Sequence, residues 1–279
     1  MQDPSTCNDL WPAWSPDGKR IVFVSDRTGD PEVFLRTLSG GEAQRLTMTP
    51  GRDAHPSFSP DGMTITFQSP REGAHTNIYL MDVDGSNQRR ITSHQGFAGM
   101  PVWSPDGTQI AYQWTPDLEA QKWRLMLLHV ATSAQPRQLT DGSANDQVLN
   151  WAPDGTRFVF HSDRTGKNQL YTMSLDGRVT RLTTSSSDDR SGAWSPDGKM
   201  IAFMSDRESD AAGVFVMDAD GTGARRLSAL RPEHGVPFFS PDGARVLANP
   251  RRPAGAEVVA LRVRDGGVEL LSRCSLEGR

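Results

Sequence analysis

The sequence predicts an all-β fold: a six-bladed β-propeller built from four-stranded antiparallel blades. Three observations carry that expectation. A block reading Trp-Ser-Pro-Asp-Gly, or a close variant, recurs six times, with prolines at Pro16, Pro60, Pro105, Pro153, Pro196 and Pro241. The spacings are 44, 45, 48, 43 and 45 residues, so the units fill most of the 279-residue chain. Each unit also holds four short runs of strand character divided by turn chemistry, the pattern of a propeller blade.

Each unit has the same internal order. An aromatic residue (Trp14, Phe58, Trp103, Trp151, Trp194 or Phe239) ends a first strand, A. Ser-Pro-Asp-Gly follows, with Ala152 replacing the serine in the fourth unit. Pro presets φ in this turn and Gly accepts φ > 0. Strand B is β-branched and aromatic, as in KRIVFVS and TRFVFHS. A second turn reads SDRTG at Ser25 and Ser162, and SDRES at Ser205. Strand C follows, for example NIYLMDV or GVFVMDA. A third turn, DVDGSN from Asp82 or DADGTG from Asp218, leads to a short strand D ending in RLT, RIT, QLT, RLT, RLS and LLS. The blades run approximately over 8–47, 53–92, 98–140, 146–183, 189–228 and 234–272, in one domain.

The physical reason for a ring is edges. A lone four-stranded sheet exposes two faces and two open edges. Stacking six around an axis buries the faces and leaves short outer edges, so the strand-A aromatics become core between blades. Helix is nearly absent. PDLEAQKWRL from Pro116 lacks an apolar stripe and reads as a long B–C loop.

Composition narrows the class. Hydrophobic residues make up 36% and charged residues 23%, which fits a packed core and not disorder. A net charge of −4 argues against a general nucleic-acid surface. No apolar run approaches bilayer-spanning length, so no membrane insertion is expected, and no signal-peptide pattern opens the chain. A monomer is expected.

The block W-S-P-D-G-K-x-I-x-F-x-S-D-R, followed by I-Y-x-M-D-x-D-G-x-x-x-x-R-L-T, resembles the repeat of the TolB-type β-propeller, over nearly all of the chain. The resemblance implies a module that binds partner proteins of the bacterial envelope. The same propeller resembles the non-catalytic domain of prolyl-oligopeptidase-like peptidases and the fold of some sugar lyases, and fold alone does not assign function. The first blade is expected to start by about Asp9, so the N-terminal α/β domain that the resemblance implies is not expected within this sequence, whether cut away or never present, and no Gly-x-Ser-x-Gly elbow occurs. No catalytic residue is assigned.

Ring closure follows from the unit order. The first unit owns its strand A and the last owns its strand D, so the terminal blades are expected to meet by packing without sharing a strand. Cys7 and Cys274 are the only cysteines and lie just outside these strands. A disulfide between them would lock the seam and favour an oxidising compartment, periplasmic or extracellular rather than cytoplasmic. Against it, an innermost first strand and an outermost last strand set the Cα atoms apart. Two unrelated thiols are the alternative.

Strand parity places the Pro-Asp-Gly turns on one face. The variable B–C loops and the D–A connections share the other, where function is expected. Five residues before each strand-A aromatic stand Asp9, Asp53, Ala98, Asp146, Asp189 and His234, with Asp188 and Glu233 adjoining. A ring of carboxylates at the channel mouth could hold a divalent cation through oxygen ligands, or the amino or basic end of a peptide. Local turn capping is the competing reading. Trp11, His55, Phe97 and Met100 would add an apolar patch. The repeated Asp26–Arg27, Asp163–Arg164 and Asp206–Arg207 pairs read as structural, since a site used once needs no copies. The resulting expectation is a protein- or peptide-interaction module. Its partner-binding residues are Asp9, Trp11, Asp53, His55, Phe97, Asp146, Asp189, Glu233 and His234. The alternative is a lyase or hydrolase acting on a small molecule or saccharide at the same mouth, with a metal ion's assistance. No cofactor is assigned.

Overall fold

A computed structural model describes residues 7–274 apart from 121, 133–134, 209–211, 229, 231–234 and 253–254, and omits the side chains of 251 and 252. It contains six four-stranded antiparallel sheets arranged in a ring, with no helix among the described residues. In blades 1 to 5 the sheet order follows chain order, A-B-C-D. Strand A is Asp9–Trp14, Ala54–Phe58, Phe97–Trp103, Asp146–Trp151 and Asp189–Trp194 in turn. Blade 6 departs from this order. Arg245–Ala248 and Arg251–Arg252 both pair with Gly255–Arg262, and Val268–Arg273 lies outermost. Its innermost position is marked by one bridge, Phe239 to Val246.

The core lies between blades. Six apolar clusters bridge the six interfaces, including one across the seam that joins Trp14, Phe23 and Phe34 to Leu247, Val258 and Leu271. Trp14, Phe58, Trp151, Trp194 and Phe239 are buried, as core aromatics should be. Arginines at the start of strand B reach over the next blade's aromatic: Arg20 over Phe58, Arg157 over Trp194, and Arg245 over Trp14 across the seam.

The Ser-Pro-Asp-Gly turns interlock around the opposite face. The turn glycines have positive φ, and each abuts the previous blade's proline, ending with Gly18 against Pro241. Within the turn the serine hydroxyl donates to the aspartate, as Ser59 does to Asp61 at 2.5 Å. That bond, with a backbone N–H, holds Asp17, Asp61, Asp106, Asp197 and Asp242 below the usual carboxylate range. The fourth B–C connection differs from the turn read at Ser162. The strand there continues to Thr165 and reverses at Gly166, whose φ is 104°.

No strand is exchanged across the seam among the described residues: Asp9–Trp14 pairs within its own blade. Instead Ser272 Oγ donates to Asp9 Oδ2 (2.6 Å), Asn249 Nδ2 to Asp9 O (3.1 Å), and Ala256 N to Asn8 Oδ1 (3.0 Å). Cys7 and Cys274 form a disulfide, with Cα atoms 5.6 Å apart. The separation feared from innermost and outermost strands does not arise. Ser272 holds the place that Thr47 and Thr183 hold in their units, and Asp9 that of Asp53 and Asp189. Between blades 1 and 5 the chain makes this same outer-to-inner step in each D–A connection, and the disulfide supplies it at the seam.

Candidate binding site at the channel mouth

The mouth is shaped by a bulge repeated in strand A. In blades 1 to 5 two strand-A residues oppose one strand-B residue, so the register shifts between Leu10 and Ala13 and at the same place in the other four. The first bulged residue has positive φ: Trp11 48°, His55 49°, Met100 53°, Val148 49° and Ser191 57°. For non-glycine residues, and for β-branched Val148 above all, this conformation is costly. A bulge re-aims a side chain. Here it turns one residue per blade into the channel. Proline follows at Pro12, Pro56 and Pro101, where the innermost edge needs no N–H for a neighbour.

The backbone N–H freed by the bulge is caught by the preceding blade. Gln68 Oε1 accepts from Met100 N (2.9 Å), Gln113 Oε1 from Val148 N (3.0 Å), and His161 Nδ1 from Ser191 N (3.4 Å). All three acceptors are buried. Burial, helped by the Arg190 charge, pushes the His161 pKa down to about 3, so the ring is neutral and can accept. His161 is therefore a structural acceptor. The sequence-level signal was the polar residue interrupting three apolar strands B at one position.

The carboxylate ring has a different role from the expected one. Asp9, Asp53, Asp146 and Asp189 are at most 1% exposed. Each is paired with the arginine of its own blade's B–C turn: Arg27–Asp9 (2.7 Å), Arg71–Asp53 (2.6 Å), Arg164–Asp146 (2.7 Å) and Arg207–Asp189 (2.9 Å). These arginines also bond a strand-end serine and lie over two strand aromatics, as Arg207 does over Phe203 and Phe215. The neighbouring turn aspartate fixes another group: Asp26 accepts from Asn8 N, Asp163 from Asn145 N and Asp206 from Asp188 N. Blade 3 lacks the pair as a unit, with Ala98 at the ring and Pro116 at the arginine position. The four aspartates thus clamp strand A to strand B, and the expected array of open carboxylates is absent from the described mouth.

What lines the mouth is apolar. Its walls are Trp11, His55, Met100, Val148, Ser191 and Val236, with Pro12, Pro56 and Pro101 behind them. Trp11 stacks on His55 with centroids 4.3 Å apart, and the guanidinium of exposed Arg52 lies over the Trp11 ring at 4.6 Å. Phe97 stands edge-on to Trp123 at 5.4 Å, outside the lining. Glu233 and His234 lie outside the described residues. His55 is the one titratable side chain in the described lining, and the one cluster with metal-ligand geometry among the described residues is Asp26 beside the bonded Cys7 and Cys274.

Comparison with known proteins places this frame. In sequence, 40 residues are 48% identical to the uncharacterized peptidase YuxL of Bacillus subtilis, covering 14% of this chain and 6% of that protein. Another 35 are 46% identical to the Tol-Pal system protein TolB of Bordetella pertussis, covering 12% and 8%. The matched segments thus span a small part of either relative. Among solved structures, an Agrobacterium tumefaciens protein described as TolB is similar with a TM-score of 0.73 and 26% identity, over 87% of this chain and 89% of that one. TolB of Acinetobacter baumannii has a TM-score of 0.78 and 23% identity, over 97% and 65%. An oligogalacturonate lyase of Vibrio parahaemolyticus shares the fold, with a TM-score of 0.66 and 15% identity, over 97% and 80%. The family model described as the TolB beta propeller domain matches residues 5–115 and 90–183, more than half of the chain. The chain belongs to the TolB β-propeller family.

Proposed function

We propose that this propeller is a binding module that receives a segment of a protein or peptide at the loop-side mouth of its channel. The observation that carries the reading is the apolar throat built by the strand-A bulges, with the Trp11–His55 stack at its rim. A rigid aromatic in a concave, largely apolar site is the usual anchor of a binding surface. Strain repeated in five blades supports the same reading, since each bulge aims a side chain inward at a cost in backbone energy. A divalent cation at the four aspartates is not part of it, because each already has a guanidinium partner. The disulfide supports a periplasmic or extracellular location. The enzyme reading would need an acid–base pair at the mouth, and the described lining supplies His55 alone.

The test is site-specific photocrosslinking. Met100→p-benzoylphenylalanine, expressed in the source cells, should give discrete protein adducts, and Trp11→Ala in the same chain should abolish them. Adducts that are indifferent to Trp11, or equal to those from the same probe at exposed Val179, would refute the mouth as the binding surface.

A further inference from the structure

The outer rim of blade 6 breaks a rule that the other five blades keep. Strands D there are two to four residues long, whereas Val268–Arg273 has six. An outermost strand presents unpaired N–H and C=O groups, and short length and charge are the usual protections. At the position before the inward Leu or Ile of strand D (Leu46, Ile91, Leu139, Leu182 and Leu227), five blades carry Arg45, Arg90, Gln138, Arg181 and Arg226. Three of these fold back on the open edge. Arg45 Nε donates to Thr47 O (2.8 Å), Arg181 Nε to Thr183 O (2.6 Å), and Arg226 Nε to Ser228 O (3.0 Å). Blade 6 has Leu270 at this position, which cannot guard the edge.

Leu270 is 48% exposed and Val268, two residues earlier, 49%. No other strand holds two exposed large apolar residues among the described residues. They pair across to Val259 and Leu261, so both point to one face of the sheet. Glu269, between them in the strand, points to the other face and lines a cleft with Arg225, Arg245, Arg262 and Arg264. Glu269 meets Arg245 at 3.4 Å, and Asp265 meets Arg262 and Arg264 at 3.0 and 3.2 Å. Four guanidinium groups therefore face two carboxylates, on a chain whose net charge is −4.

We infer that the outer edge of blade 6 is a second docking site, separate from the channel mouth, which takes an extended segment of a partner protein by strand addition. Main-chain bonds to the open edge supply affinity and alternate side chains supply specificity. The occupant carries apolar residues that cover Val268 and Leu270 and acidic residues that meet the arginine cleft. A second copy of this acidic chain fits the charge less well.

The test is selection of displayed peptides on the intact, oxidised protein, counter-selected against Leu270→Arg. That variant restores the residue type of the other blades, so it should fold. Enriched peptides should alternate apolar and acidic residues, lose about tenfold or more in affinity on Leu270→Arg, and bind Trp11→Ala unchanged. Arg262→Glu with Arg264→Glu should abolish the acidic preference. No Leu270-dependent enrichment, or enrichment of neutral or basic peptides, would overturn the inference. So would concentration-dependent dimerisation abolished by Leu270→Arg, which would make the occupant a second copy.

Discussion

Removing the seam disulfide with Cys7→Ser and Cys274→Ser tests the view that it acts as the sixth D–A connection. The bond spans 267 residues. In the chain-entropy picture a loop of that length restricts the unfolded state by about 5–6 kcal/mol, an upper value because native bridges commonly give 2–5. The native ring should survive, since the seam cluster and the bonds of Asp9, Asn8 and Asn249 do not involve sulfur. Circular dichroism should therefore be unchanged while the denaturation midpoint falls.

Hydrogen exchange locates the effect without assuming two-state unfolding. Each blade touches only its neighbours, so an unlocked ring frays from its ends. Amides of blades 1 and 6 should lose protection while those of blades 3 and 4 keep most of theirs. Reductant should reproduce the change in wild type and do nothing to the double serine variant. A permuted chain joining residue 274 to residue 7 by a peptide linker, opened at the 140–146 connection, should recover the protection at the seam and move the fraying to blades 3 and 4. Loss of less than about 1 kcal/mol on removing both sulfurs, with uniform exchange around the ring, would show that packing alone closes it and refute the reasoning.

Two further outcomes follow from buried groups. Arg207→Met leaves Asp189 buried without its guanidinium, with Ser185 Oγ still donating to it (2.8 Å), so it should cost about 3–5 kcal/mol in chemical denaturation, and adding Asp189→Leu should restore much of the loss. A cost below about 1 kcal/mol, typical of exposed pairs, would contradict the clamp. His161 is held neutral with its pKa depressed to about 3, against 6.5 as its ordinary value. The unfolded chain therefore binds the extra proton first, and the stability contributed by neutral His161 is lost as pH falls from about 6.5 towards 3, at up to about 1.4 kcal/mol per pH unit. His161→Gln should flatten this acid limb and keep the bond to Ser191 N, because Gln68 and Gln113 make the equivalent bond in the two preceding blades. An unchanged acid limb, measured as denaturation midpoint against pH, would count against it.

The frame was legible because it is written six times. Turn prolines, core aromatics and the unshared seam could be placed from spacing and residue type. The mouth was less legible for a definite reason. Counting by twos along strand A assumes an unbroken ladder, and the bulge at Trp11–Pro12 and its repeats breaks it. Pre-proline positions in three units were the available signal. The aspartates misled because their partners are distant in sequence. Arg27 stands next to Asp26 but pairs with Asp9, 18 residues away. Blade 3, which loses Asp and Arg together, held the clue.

Repetition also separates structure from function more sharply than residue chemistry does. A carboxylate in a channel looks like a site until the same Asp–Arg clamp is found in four blades, holding strand A in each. A structural service recurs from blade to blade. Binding one partner breaks the symmetry, so its residues should occupy equivalent positions yet differ in kind. The bulge position meets that condition: the backbone is the same at Trp11, His55, Met100, Val148 and Ser191, while the side chains share no chemistry. Leu270 meets it again at the rim, where the other blades carry Arg or Gln. Both places keep the frame of the repeat and abandon its residue, as expected where an outside partner, and not the neighbouring blade, sets the side chain.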